Sequence, residues 1–158
     1  MIVVVMGVSG VGKTTIGAAL AAKLGWRFID ADDFHPPENV AKMAAGIALE
    51  DADRWPWLDA LNLALRKETD AVVACSALKE AYRERLLAGI ERAVIVHLHG
   101  PMPLIAERLK ARQHRYMPAS LLASQYATLE PPAQAIRIDV AAEPQACVDT
   151  IASLLGER

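Results

Sequence analysis

Gly7-Val8-Ser9-Gly10-Val11-Gly12-Lys13-Thr14 follows directly on Ile2-Val3-Val4-Val5-Met6 near the start of a 158-residue chain. The apolar run has no polar alternation and is rich in β-branched residues, as in a strand buried on both faces of a parallel sheet. The octapeptide satisfies G-x-x-x-x-G-K-[ST] at every specified position. Glycines at these places let the backbone turn successive N–H groups toward phosphate oxygens and approach them closely. From Lys13 to Leu24, apolar residues at Ile16, Ala19, Leu20 and Leu24 keep helical spacing, and Gly25 is a natural stop. That helix begins at the loop, so its positive end adds to the anion site. Gly7, Ser9, Gly10, Val11 and Gly12 are therefore expected to form a phosphate cradle. Lys13 is expected to reach the β- and γ-phosphates, Thr14 to offer its hydroxyl to Mg²⁺, and Thr15 to add a further hydroxyl. The plain alternative is a glycine-rich connection between strand and helix, which the strand before and the helix after make the weaker reading.

Working outward, further apolar runs occupy 26–29, 71–75, 93–98 and 135–140. Helical patterning falls at about 39–45, 56–67, 79–87, 103–112, 119–129 and 144–155. Strands alternating with helices imply βαβ units, hence an α/β fold of the P-loop type. About five parallel strands with helices on both faces are expected, in a single domain spanning 1–158. Two segments break the rhythm, 30–55 and 113–118. Each follows an element end and is rich in charge, proline or histidine, which marks them for substrate chemistry.

Composition excludes several classes. Hydrophobic residues make up 53% and charged residues 23%, with a mean hydropathy of +0.19, as a packed globular core requires. The 17 basic and 19 acidic residues leave a formal charge of -2, so no global basic field invites nucleic acid or an anionic membrane. Cys75 and Cys147 have no metal-ligand spacing and form no disulfide framework, which points to a reducing, cytoplasmic compartment. Ile2–Met6 is too short to span a membrane and has no basic flank of the kind a signal peptide carries.

A phosphate loop alone does not separate kinases from GTPases or motors. No N-K-x-D or T-K-x-D sequence occurs, which disfavours guanine recognition. Phe28-Ile29-Asp30-Ala31-Asp32-Asp33-Phe34-His35 places carboxylates at the C-terminal end of the second strand, the edge where parallel sheets bind ligands. One carboxylate there can take the proton of an attacking hydroxyl while another holds Mg²⁺ through water. An acidic turn with a helix cap is the plain alternative.

In order along the chain, the residues continue as D-A-D-D-F-H-P-x-E-N-x-x-K-M from Asp30 and D-x-D-R-W-P-W-L from Asp51. Then come C-S-A-L-K-x-x-Y-R-x-x-L from Cys75, R-L-x-x-R from Arg108 and Y-M-P-A-S-L-L-x-S-Q-x-x-T-L-E-P from Tyr116. With the loop, these blocks resemble the gluconokinases among small P-loop sugar-acid kinases, over essentially the whole length. The resemblance implies a fold related to shikimate and nucleoside monophosphate kinases, ATP with Mg²⁺, and phosphorylation of D-gluconate at its 6-hydroxyl. It also implies a homodimer, a substrate-binding insertion at about 33–58 and a lid at about 112–118.

A polyol ending in a carboxylate needs cations and hydrogen-bonding groups. Arg54, Lys79 and Arg83 are the candidate cations, the last two four residues apart and so on one helical face. Asp32 stands where the family has its general base, Asp30 is the metal-side carboxylate, and Asp33 is the substitute for Asp32. His35 is expected at the substrate hydroxyls, a capping or core histidine being the alternative. Ser76 is expected to cap the next helix or lie near the γ-phosphate. Trp55, Trp57 and Met43 are expected to pack. Arg112 matches the family's lid arginine, whereas His114 and Arg115 depart from the commoner G-H pattern. Adenine contacts are expected from the loop at 139–144. The alternatives are another kinase of this fold, such as a shikimate-type one, or a nucleotide-binding module without turnover.

Overall fold

In the computed structural model, which describes residues 1–111 and 119–157, β1 (Ile2–Met6) is buried along its whole length. Its alternation divides the interior in two. Val3 and Val5 join one apolar cluster, whereas Ile2, Val4 and Met6 join another on the opposite face. A strand with both faces covered needs no polar side chain, which is why this run carries none.

The remaining elements are α1 (Lys13–Leu24), β2 (Arg27–Asp30), a 3-10 turn at Ala31–Phe34, α2 (Pro37–Ala44) and α3 (Asp51–Arg66). They continue with β3 (Ala71–Ala74), α4 (Glu80–Leu87), β4 (Ala93–His99), α5 (Met102–Lys110), α6 (Ala119–Thr128), β5 (Ile136–Asp139) and α7 (Pro144–Gly156). Five parallel strands run in the order β2-β3-β1-β4-β5, with Ile2 level with both Ala71 and Ala93. The Val3 face packs Ile16, Leu20, Ile105, Ile151 and Leu155. The opposite face packs Trp57, Leu58, Leu61, Leu65, Tyr82 and Leu86. Leu20, Leu58, Leu61 and Leu65 are wholly buried, each such side chain contributing about 1.5–3 kcal/mol by transfer from water.

The helix placed at 56–67 by its apolar period begins earlier, at Asp51. Reciprocal capping explains the extension. Asp53 Oδ2 accepts from the Glu50 N–H at 2.9 Å, while the Glu50 side chain accepts from the Asp53 N–H. Pro56 thus lies inside α3, not in its first turn, and removes the N–H that would reach the Ala52 carbonyl. Met43, expected to pack, is exposed on α2 with Val40, as is Ile47 just after the helix.

Candidate active site

All strands end on one edge, and the loops after β1, β2 and β3 meet there. The phosphate loop is fixed from beneath by Val8 and Val11, both buried. Gly12 caps α1 in the left-handed region (φ 95°), and its carbonyl accepts from Ile16 N–H at 2.8 Å. A Cβ on Gly7 would stand 2.6 Å from the Leu98 carbonyl oxygen, so the close passage of loop over strand admits glycine alone. Lys13 bends back over the loop, its Nζ donating to the Val8 carbonyl at 3.1 Å. Beside this loop, Gly10, Gly12, Thr15, Arg108, Val140, Ala142 and Pro144 line a cavity of about 320 Å³. It joins the phosphate loop to the segment after β5.

The acidic strand end is locally determined. Asp30 Oδ1 accepts from the Asp32 N–H at 3.0 Å and so caps the 3-10 turn. Asp32 turns outward, its side chain 70% exposed. The buried Cys75 thiol, at the end of β3, is pushed up to about 12, first by burial, with Lys13, Asp32 and Asp30 all acting on it electrostatically. The phosphate-loop lysine and both strand-end carboxylates therefore lie within electrostatic reach of the end of β3. His35 stacks on Trp57, ring centroids 4.2 Å apart, and Trp57 is itself held by donating Nε1–H to the Ala31 carbonyl at 2.7 Å. Burial lowers the His35 pKa, opposed by Asp32 and aided by Arg54.

Beyond His35 lies the basic edge. Tyr82 is its platform, with the Arg54 guanidinium 5.1 Å and Lys79 Nζ 5.7 Å from its ring centroid. The Tyr82 hydroxyl donates to Asp51, which also pairs with Arg54. These contacts, the tyrosine's first, hold Asp51 below the usual carboxylate range. Burial, then the bond to Asp51, pushes the Tyr82 hydroxyl up to about 12.

Lys79 and Arg83 do not share a helical face. Lys79 is extended (φ −106°, ψ 149°) and precedes α4, so the fourfold spacing does not apply. Arg83 turns inward and is 2% exposed. It donates to the carbonyls of Ala77 and Glu130, each at 2.8 Å, and to the Glu80 carboxylate at 2.9 Å. In this arrangement it ties the segments at Ala77 and Glu130 together. Ser76 does not cap α4 either, because the backbone runs on through Ala77 (φ 44°) before the helix begins.

Two residues at this edge escaped individual attention in the sequence, although both lie inside the quoted blocks. Gln125 of α6 contacts Ser9 of the phosphate loop, and Asn39 of α2 contacts His35. Both are side-chain amides, whose roles are invisible until their partners are known. Arg112, His114 and Arg115, and with them the whole segment 112–118, lie outside the described residues.

The family profile described as Shikimate kinase matches residues 9–135. Gluconokinase of Gluconobacter oxydans is 50% identical over 133 residues, covering 82% of this chain and 75% of that protein. A probable gluconokinase of Xenopus tropicalis is 46% identical over 162 residues, covering 89% and 85%. The crystal structure of a gluconokinase from Sinorhizobium meliloti 1021 superposes with a TM-score of 0.86 at 42% identity, over 97% of this chain and 94% of that one. Identity of this extent, carried by the same five-stranded sheet, means that the chain belongs to the gluconokinases, within the broader family that the shikimate kinase profile describes.

Proposed function

We propose that this protein transfers the γ-phosphoryl group of ATP to the 6-hydroxyl of D-gluconate. The observation that carries the proposal is the placement of Lys13 on the loop after β1 and of Asp30 and Asp32 at the end of β2, on one edge of the parallel sheet, with Arg54 and Lys79 gathered on Tyr82. The relatives named as gluconokinases support the choice of acceptor.

ATP fits the loop, where the N–H groups opening α1 and the side chains of Lys13, Thr14 and Thr15 take the phosphates. Gly10, Val11 and Gly12 supply backbone N–H groups, that of Ser9 being taken by Gln125, and the 320 Å³ cavity reaching Val140 and Pro144 has room for the base. Mg²⁺ would be held by the Thr14 hydroxyl and, through water, by Asp30. Among the described residues no cluster of three or more His, Cys, Asp or Glu forms a dedicated cage, which fits an ion that keeps its waters and bonds to phosphate. Bound there, it would offset phosphate charge.

The chemistry then needs a base and an orienting site. The gluconate O6 attacks the γ-phosphorus, its bond to the β,γ-bridging oxygen breaks, and ADP leaves. The hydroxyl proton passes to the Asp32 carboxylate. Lys79 and Arg54 hold the gluconate carboxylate, and His35 contacts hydroxyls between the two ends. Arg83 supports this edge by fixing the backbone at Ala77, in place of touching substrate. Arg112 supplies positive charge to the transferring group from the segment at 112–118, which closes over ATP as a lid, while 33–58 forms the acceptor side. The protein works in the cytoplasm as a homodimer.

The deciding experiment is a coupled ADP-release assay across gluconate, shikimate and nucleoside monophosphates. Gluconate is the expected acceptor. Turnover with shikimate and none with gluconate would reassign the acceptor, and no turnover with any would leave a nucleotide-binding module.

A further inference from the structure

Asn39 is the buried residue of an otherwise exposed or half-exposed helix, 2% accessible, and its side-chain nitrogen has two acceptors. Nδ2 donates to the backbone carbonyl of Asp53 at 2.9 Å and lies 3.2 Å from His35 Nδ1. A carbonyl oxygen can only accept, so the Asp53 contact fixes which end of the amide faces inward. An amide nitrogen can only donate, so His35 Nδ1 must present its lone pair. A neutral imidazole with a lone pair on Nδ1 carries its proton on Nε2. That second nitrogen faces Asp32, with Nε2 and Oδ1 4.0 Å apart, and the ring cannot swing away because it is stacked on Trp57.

We propose that Asn39 is a positioning residue that sets the tautomer of His35, so that His35 shows the acceptor hydroxyl an N–H and never a lone pair. The inference rests on Asp32 as the proton acceptor. At 4.0 Å the His35–Asp32 pair is too long for a direct hydrogen bond. A hydroxyl seated beside the pair accepts from Nε2–H and donates to Asp32. Its single proton then has one destination, and the oxygen lone pair that attacks phosphorus is oriented by the same contact. With the opposite tautomer, His35 Nε2 would compete with Asp32 for that proton. The asparagine of the H-P-x-E-N block thereby gains a task that its sequence position alone does not disclose.

Long-range ¹H–¹⁵N correlation of the labelled protein without substrates reads the tautomer directly, with the His35 signals assigned by their loss in His35→Gln. Protonated Nε2 and bare Nδ1 are expected, and a proton on Nδ1 would overturn the proposal. Asn39→Asp places an acceptor at Nδ1, so the proton should move there. The turnover number with gluconate should fall about tenfold or more, while KM for ATP stays unchanged. In the His35→Gln background, where the glutamine amide can donate without Asn39, the same substitution should cost less than threefold. An unchanged tautomer and turnover in Asn39→Asp, or equal losses in both backgrounds, would also overturn it. The spectrum needs neither ATP nor gluconate, so it judges the tautomer even if the acceptor assignment fails, and the wild-type spectrum remains decisive if Asn39→Asp does not fold.

Discussion

Gln125 grips Ser9 from two sides: its Oε1 accepts from the Ser9 backbone N–H at 2.8 Å and its Nε2 donates to Ser9 Oγ at 3.1 Å. Five residues later, Glu130 accepts from the Glu80 N–H at 2.9 Å and donates its own N–H to the Leu78 carbonyl at 2.8 Å. The segment from α6 to Glu130 therefore joins the phosphate loop to the start of α4. Gln125→Ala should reduce kcat/KM for ATP about tenfold, the effect of one or two neutral hydrogen bonds, with a small shift in Tm. Gln125→Glu should do worse, because it brings negative charge toward the phosphates. Steady-state kinetics and thermal melts check both, and unchanged ATP parameters would mean that the grip is only structural.

Lys13→Ala should abolish phosphoryl transfer while leaving the fold intact, since the side chain lies on the loop surface and outside the core clusters. Asp32→Asn should lower turnover by about 10²–10⁴-fold with ATP binding largely retained. Calorimetry separates the outcomes. Loss of ATP affinity in Asp32→Asn would move that carboxylate from proton acceptor to metal site.

Arg83 and Lys79 should respond in opposite ways. Arg83→Ala leaves the carbonyls of Ala77 and Glu130 without their donor and should cost about 3 kcal/mol of stability. Lys79→Ala should leave the melting temperature nearly unchanged and raise KM for gluconate about tenfold or more. Chemical denaturation paired with gluconate titration tests the contrast, and a folded Arg83→Ala protein with only its gluconate affinity lost would restore Arg83 to the acceptor site.

His97, at the C-terminal half of β4, is 3% exposed, and its Nδ1 is buried without a hydrogen-bond partner. Burial, assisted by Arg137, His99 and Arg83, pushes its pKa down from 6.5 to about 4. The unfolded chain takes up this proton as pH falls through 6.5, whereas the native protein refuses it until about pH 4. Stability is therefore undiminished by this group above that window, falls through it and levels off below. The total is at most about 3 kcal/mol. His35, also lowered by burial, adds with the same sign. His97→Gln should flatten the loss of stability between pH 6.5 and 4, measured by urea unfolding, and an unchanged slope would refute the assignment.

Much of this molecule is legible in its sequence. The run Ile2–Met6 and the loop after it sufficed for a parallel sheet with a phosphate site, because burial on both faces and glycine-dependent turns leave direct marks in sequence. The acidic strand end was legible for another reason, that carboxylates gathered just past a strand mark the edge where parallel sheets bind ligands. Less visible was which way a side chain points once a helix begins late. Lys79 and Arg83 have helical spacing, yet the extended backbone at Lys79 sends one outward while the other lies inside. The start of α3 leaves a weak mark in the sequence because its cap, Glu50 with Asp53, is acidic where a Ser or Thr is the common signal. Asn39 and Gln125 were illegible as individuals, since an amide's meaning resides in partners far along the chain, 116 residues away for Gln125.

The central place of β1 has a consequence for biosynthesis. Of the five described strands the one made earliest is the middle of the finished sheet, and its two neighbours are β3 and β4, which begin at Ala71 and Ala93. An apolar ribbon with both edges open must wait for most of the chain to be made. Nascent chains arrested before β4 should accordingly be captured by hydrophobic-segment chaperones, and release should come only when the residues through His99 have cleared the exit tunnel.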